Sequence, residues 1–149
     1  HNADMYLNDV NVENEIRTLE VSNLGSTVAA NSVVRKKLVA IQKEMGKNKG
    51  VVMDGRDIGT VVFKDAELKI FMNASASTRA ERRYNELINK GQNVSYDDIL
   101  KNVIDRDHMD TTREDSPLVK ADDAIEIDNS NLTREEQFDM ILKLVQEKL

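Results

Sequence analysis

Apolar residues along the chain change their period several times, and each change marks an element. Residues 5–7 and 10–12 are short apolar-rich runs flanking Asn8-Asp9, a pair suited to a tight hairpin turn. Helical spacing follows from about residue 12 to Ala30, with Thr18 as candidate N-cap. A clearer helix carries Val34, Leu38, Ile41 and Met45 on one stripe, capped by Asn31 or Ser32 and closed by Gly46. Residues 47–50 read as a loop into 51–53, an apolar run without alternation, as in a strand buried on both faces. Residues 68–72 and 124–127 are further strand candidates. Thr78 and Glu81 have the spacing of a capping box for a helix with Ala80, Tyr84, Leu87 and Ile88, ending at Gly91. Ser95 and Asp98 resemble a cap for a helix to about Asp110. Thr133 and Glu136 form another box, before a helix whose apolar face is Phe138, Ile141, Val145 and Leu149. These Val, Ile, Leu and Phe stripes are the expected core. Strands alternating with helices predict an α/β layered fold in one compact domain.

Composition narrows the chemistry. Of 149 residues, 40% are hydrophobic and 32% charged, the balance of a soluble globular domain. The net charge of −6 provides no general field for nucleic acid or an anionic membrane, so an anion site must be a local group of arginines. The absence of cysteine excludes disulfides and thiolate ligands, and His1 and His108 alone make a histidine zinc site implausible. No apolar run approaches the roughly 20 residues of a membrane span. The opening His1-Asn2-Ala3-Asp4 is not a secretory signal, and a cytoplasmic location is expected. Removal of an initiator methionine does not normally expose histidine, so the expectation is a piece of a longer protein.

The segment most suited to chemistry is Asp54-Gly55-Arg56-Asp57, directly after the first strand candidate. Ligands of doubly wound sheets bind at the carboxyl ends of strands. An aspartate there suits a magnesium ion or its waters, Gly55 and Gly59 permit close backbone approach, and Arg56 offers a planar fork for phosphate. Taken alone, the tetrapeptide favours a plainer reading, a glycine turn with surface charges. Arg106, Asp110 and Arg113 fall at i, i+4 and i+7 on one helix side, where they form either a rigid anion site or a solvated face of weak ion pairs. Arg79, Arg82 and Arg83 open the helix after residues 68–72, within reach of a triphosphate or of Glu81 and Glu86. On composition alone Arg35 is a surface residue.

In order, these segments resemble the bacterial cytidylate kinases over the whole chain. The resemblance rests on Val52-Met53-Asp54-Gly55-Arg56-Asp57-Ile58-Gly59-Thr60-Val61-Val62, Asp65-Ala66, Lys69-Ile70-Phe71, Glu81-Arg82-Arg83, Arg106-Asp107, Asp110, Arg113, Ser116-Pro117-Leu118 and Asp122-Asp123-Ala124. It implies a P-loop-kinase-type parallel sheet flanked by helices, here incomplete. Residues 1–30 resemble part of a CMP-binding insert of hairpin and helices, and 31–149 the remaining kinase core with a short lid near 90–96. The implied reaction is ATP-dependent phosphorylation of CMP or dCMP, a step of pyrimidine metabolism with Mg2+ accompanying ATP.

The resemblance also implies roles by position. Ser26, Arg35 and Asp57 would face cytosine, Arg56 and Arg113 would clamp the acceptor phosphate, and Asp110, helped by Arg106, would meet the ribose hydroxyls. Arg56, Arg106 and Arg113 are then the expected catalytic arginines, Arg82 a lid residue near ATP, and Asp54 a partner of Mg2+ through water. Small-molecule substrates, a monomer when full length, and no nucleic acid or membrane partner complete the expectation. One departure is large: no G-x-x-x-x-G-K-[ST] phosphate loop occurs in these residues, and neither Leu24-Gly25-Ser26-Thr27 nor Gly46-Lys47-Asn48-Lys49-Gly50 has its spacing. The family's corresponding strand lies between those at Val51 and Leu68. A non-catalytic nucleotide-binding module and an assembly exchanging strand edges therefore stay open as alternatives.

Overall fold

Asn8 and Asp9 both take positive φ, 49° and 65°, the left-handed pair that a two-residue hairpin turn requires. Strands β1 (Tyr6–Leu7) and β2 (Val10–Asn11) accordingly pair antiparallel, Leu7 opposite Val10. This is a computed structural model, describing residues 4–148; the side chains of Leu19, Asn23 and Ser26, and the terminal Leu149 of the predicted last stripe, lie outside the described part. A 3-10 turn, Glu15–Arg17, leads into α1 (Leu19–Ala29), where Thr18 Oγ1 accepts from the Val21 amide at 3.3 Å as its spacing predicted. In α2 (Ser32–Met45) the Asn31 side chain accepts from the Val33 and Val34 amides. Gly46 is the C-cap of that helix, and a Cβ there would strike the Phe63 ring, so the position needs glycine.

The sheet differs from expectation. Residues 51–53 are not a strand, and Val52 is fully exposed at 101%. An extended run becomes a strand only when a neighbour satisfies its amides and carbonyls, and no described strand lies beside this one. The second and third candidates do pair: β3 (Ile70–Asn73) runs parallel to β4 (Ile125–Asp128), Ile70 opposite Ile125 through Asn73 opposite Asp128. After Asp57 the chain coils into a π-helical turn, Ile58–Val62, in place of a plain loop. Such turns are rare and recur at functional sites.

Helix α3 (Ala76–Asn89) starts earlier than the Thr78–Glu81 box predicted. Ser75, two residues after β3, caps it by accepting from the Thr78 amide at 3.1 Å, which leaves Thr78 inside the first turn. Helix α4 (Tyr96–Thr112) has Ser95 as its cap, as expected, and runs slightly past Asp110. Arg113 is its extended C-cap and no longer helical. Helix α5 (Arg134–Gln146) has both halves of the predicted box: Thr133 Oγ1 accepts from the Glu136 amide at 3.2 Å, and Glu136 Oε2 accepts from the Thr133 amide at 2.8 Å.

The core lies between α3 and α4. Ala80, Leu87 and Ile99 are buried, surrounded by Tyr84, Val94, Tyr96, Leu100 and Val103. The Tyr84 and Tyr96 rings meet edge to face with centroids 6.2 Å apart. The other expected core stripes are not buried: Leu38, Ile41 and Met45 of α2 and Phe138 of α5 are exposed, as is Ile88. Periodicity specifies which face of a helix is apolar but not what covers it, and no described element encloses these faces. The result is an α/β arrangement with a small parallel sheet and flanking helices. Among the described residues no helix is long and apolar enough to cross a membrane.

Candidate functional site

Two charged or polar residues are buried among the described ones, and both are aspartates, Asp57 at 6% and Asp110 at 3% exposure. A carboxylate leaves water only when cations and hydrogen bonds replace its hydration. Asp57 stands at the start of the π turn, and its Oδ2 accepts from Arg35 Nη2 of α2. That bond lies across a helix-to-loop contact joining residues 22 apart. Asp110, in the last turn of α4, accepts from Arg56 Nε at 2.8 Å and from Arg113 Nη1 at 3.0 Å, one guanidinium on each oxygen. Arg113 can fold back because α4 ends at Thr112, and the turn beyond it, with Ser116 at φ 54°, offers its carbonyl to Arg113 Nε at 2.8 Å. The bland reading of Arg106, Asp110 and Arg113 as a solvated face does not fit this burial.

These groups line one cleft of about 150 Å3 together with Arg106. Four guanidinium cations face two carboxylates there, leaving a surplus of two positive charges in a chain whose net charge is −6. Burial, reinforced by the charge of Arg56, pulls the Arg106 pKa down; burial and then the charge of Arg35 do the same to Arg113. Both shifts come first from the loss of water around these guanidinium groups and only second from the neighbouring cations. Among the described residues, Arg35 Nε and Arg113 Nη2 are moreover buried without a hydrogen-bond partner. An orphaned buried donor costs about 1–3 kcal/mol, more when charged. A phosphomonoester carries a charge of about −1.5 to −2, comparable to this surplus.

Of the other predicted site residues, Arg82 and Asp54 do not line this cleft. Ser26 belongs to α1, but its side chain falls outside the described ones. Arg82 faces the 129–132 loop, donating to Asn129 Oδ1 at 3.1 Å and to the Asn129 carbonyl at 2.7 Å, and lines a separate depression with Lys90 and Arg134. Asp54 is exposed and not among the groups lining the cleft. No group of three metal-ligating side chains occurs among the described residues.

Sequence reasoning passed over several neighbours of the cleft. Ser22 Oγ accepts from Arg106 Nη1 at 3.1 Å, and Gly25, Ala29 and Gln42 help line the walls. Two of these carry a spacing signal: Ser22 precedes Ser26 by one helical turn, and Gln42 follows Arg35 by two. The Ser116 carbonyl carries no side-chain signal at all.

Comparison with known proteins places these features in a wider set. A family model described as Cytidylate kinase matches residues 1–147. A cytidylate kinase of Flavobacterium psychrophilum is 71% identical over 143 residues, covering 96% of this chain and 63% of that protein. One of Bacteroides fragilis is 61% identical over 137 residues, covering 92% and 60% respectively. One of Cytophaga hutchinsonii is 54% identical over 147 residues, covering 99% and 63%. The chain thus spans about six-tenths of the length of these curated relatives.

Proposed function

Because this chain belongs to the cytidylate kinase family, we propose that the whole protein moves the γ-phosphoryl group of ATP onto the phosphate of CMP or dCMP, giving ADP and the diphosphate. The observation that carries the reading is the cleft, with two buried aspartates among four arginines and two guanidinium N–H groups that have no partner among the described residues. In such a transfer an acceptor phosphate oxygen attacks the γ-phosphorus in line, and the protein supplies position and charge neutralisation. Arg56, Arg106 and Arg113 are the groups we assign to the acceptor phosphate and its developing charge. Asp110, although it already accepts two guanidinium bonds, retains lone pairs for a ribose hydroxyl. Arg82 is assigned to the ATP side.

Cytosine is assigned to Asp57, Arg35 and Ser26. Arg35 engages one Asp57 oxygen, leaving Oδ1 to accept from the exocyclic amino group, while the orphaned Arg35 Nε suits the ring nitrogen or carbonyl. Uracil presents a carbonyl where cytosine presents that amino group, so a carboxylate there disfavours it. We assign to Asp54 the waters of the Mg2+ that accompanies ATP, an ion whose role is to neutralise phosphate charge. The full P-loop-kinase-type sheet and the reading of residues 1–30 as an acceptor insert belong to this proposal too.

The test is steady-state kinetics of the whole protein with Arg113→Ala. Turnover should fall by orders of magnitude, at least the roughly 10²–10³-fold typical of losing one transition-state donor; near-normal turnover would sink the assignment. A second reading is favoured by the absence of a G-x-x-x-x-G-K-[ST] loop from these 149 residues: the chain by itself binds CMP without transferring phosphate. Titration calorimetry with CMP beside a coupled kinase assay on this chain separates the two.

A further inference from the structure

The three arginines near the start of α3 point to three different places. Arg79 forms a two-bonded pair with Asp107 of α4, at 2.8 and 2.5 Å, and Arg82 holds the 129–132 loop. Arg83 instead reaches back to the first part of the chain: its Nη2 donates at 2.9 Å to the carbonyl of Arg17, 66 residues earlier. That carbonyl belongs to the 3-10 turn from which α1 starts. The same guanidinium donates through Nη1 to Glu86 Oε2 at 2.9 Å, and the other Glu86 oxygen accepts from Lys90 Nζ at 2.7 Å. On the far side, Arg17 Nε donates to Glu13 Oε1 at 2.9 Å, and Glu13 Oε2 accepts from the Met5 amide at 3.2 Å. A continuous line of polar contacts therefore runs from the β1–β2 hairpin to the end of α3, with Arg83 bridging its two halves.

Helix α1 is one wall of the cleft, contributing Gly25 and Ala29, and its Ser22 meets Arg106. The position of α1 over α4 accordingly sets the width of the cleft. Arg83 is not among the cleft-lining groups. Its side chain is 28% exposed, so its bond to Arg17 is partly shielded from water, and the Glu86 carboxyl pKa is lowered by Lys90 first and, against an opposing effect of burial, by Arg83. We propose that Arg83 is a positioning residue: by gripping the Arg17 carbonyl it fixes where α1 stands, and so tunes acceptor-nucleotide affinity without touching the nucleotide. The inference rests on reading the cleft as the CMP site.

The test uses the whole protein with Arg83→Gln and Arg83→Lys. Gln loses the charge and reach, and KM for CMP should rise about tenfold, the scale of one charge-assisted hydrogen bond, while KM for ATP and the thermal midpoint stay near wild type. Lys retains one donor head but not the fork, so its rise should be smaller. Unchanged KM for CMP overturns the proposal, as does a rise in KM for ATP alone, which would make Arg83 a triphosphate contact. Amide exchange of the same variants is an activity-free readout: faster exchange confined to residues 15–29 supports the tether, and uniform acceleration through α3 and α4 overturns it. A wild-type protein that does not phosphorylate CMP sinks the kinase reading instead, and exchange then decides by itself whether Arg83 holds α1.

Discussion

Asp57 divides its two oxygens, one to Arg35 and one with no partner among the described residues, and this division is what a base-reading carboxylate needs. Asp57→Ala in the whole protein should therefore lower the ratio of kcat/KM for CMP over UMP; an unchanged ratio would remove Asp57 from base recognition. Part of the effect will come from Arg35, whose buried guanidinium loses its counterion. The orphaned donors of Arg35 and Arg113 lead to a second expectation, at the same scale. A phosphomonoester nucleotide that satisfies them binds the folded state, so CMP at about 100 times its Kd should stabilise by about 2.7 kcal/mol and raise the thermal midpoint. Cytidine, lacking the phosphate, should shift it much less. Equal shifts from the two in differential scanning fluorimetry would remove phosphate from the cleft.

At the scale of elements, caps were the most reliable local signals. Asn31, Ser95 and the Thr133–Glu136 pair all act where their chemistry places them, because a side-chain oxygen beside an unsatisfied amide needs no distant partner. Thr78 failed for the same physical reason: Ser75 lies one turn nearer the strand and takes the Thr78 amide itself. Replacing Thr133 by Ala should cost about 1 kcal/mol in urea denaturation. Glu136 brings a pH dependence whose direction follows from its carboxyl pKa, held below the usual 4.5 by the Thr133 amide first and its hydroxyl second. A depressed carboxyl contributes stability fully above the unfolded value and loses it as pH falls through the folded one. The stability gap between wild type and Glu136→Ala should thus be complete above about pH 4.5 and close below it. A gap that widens with acid would contradict the box.

Across the whole molecule, apolar surface is the feature that local rules did not foresee. Val52, Leu38, Met45 and Phe138 are exposed in a chain spanning about six-tenths of its relatives' length. If the whole protein covers residues 51–53 with a neighbouring strand, Val52→Asn should cost about 1–3 kcal/mol there and within about 0.5 kcal/mol in this chain, as chemical denaturation of each would report. Equal costs would argue against such cover. From the sequence alone came the helix caps other than that of α3, the hairpin turn, the two paired strands within a residue or two of their ends, and the ordered motifs that carry the family resemblance. Each depends on neighbours a few residues apart, or on residue order itself. Tertiary structure decided what depends on distant partners. It kept 51–53 from becoming a strand, placed Asp57 against Arg35 and Asp110 between Arg56 and Arg113, and sent Arg83 to the Arg17 carbonyl. A guanidinium has the same composition on a wet surface and in a buried cleft; only the folded chain determines how much water it keeps and which oxygen it meets.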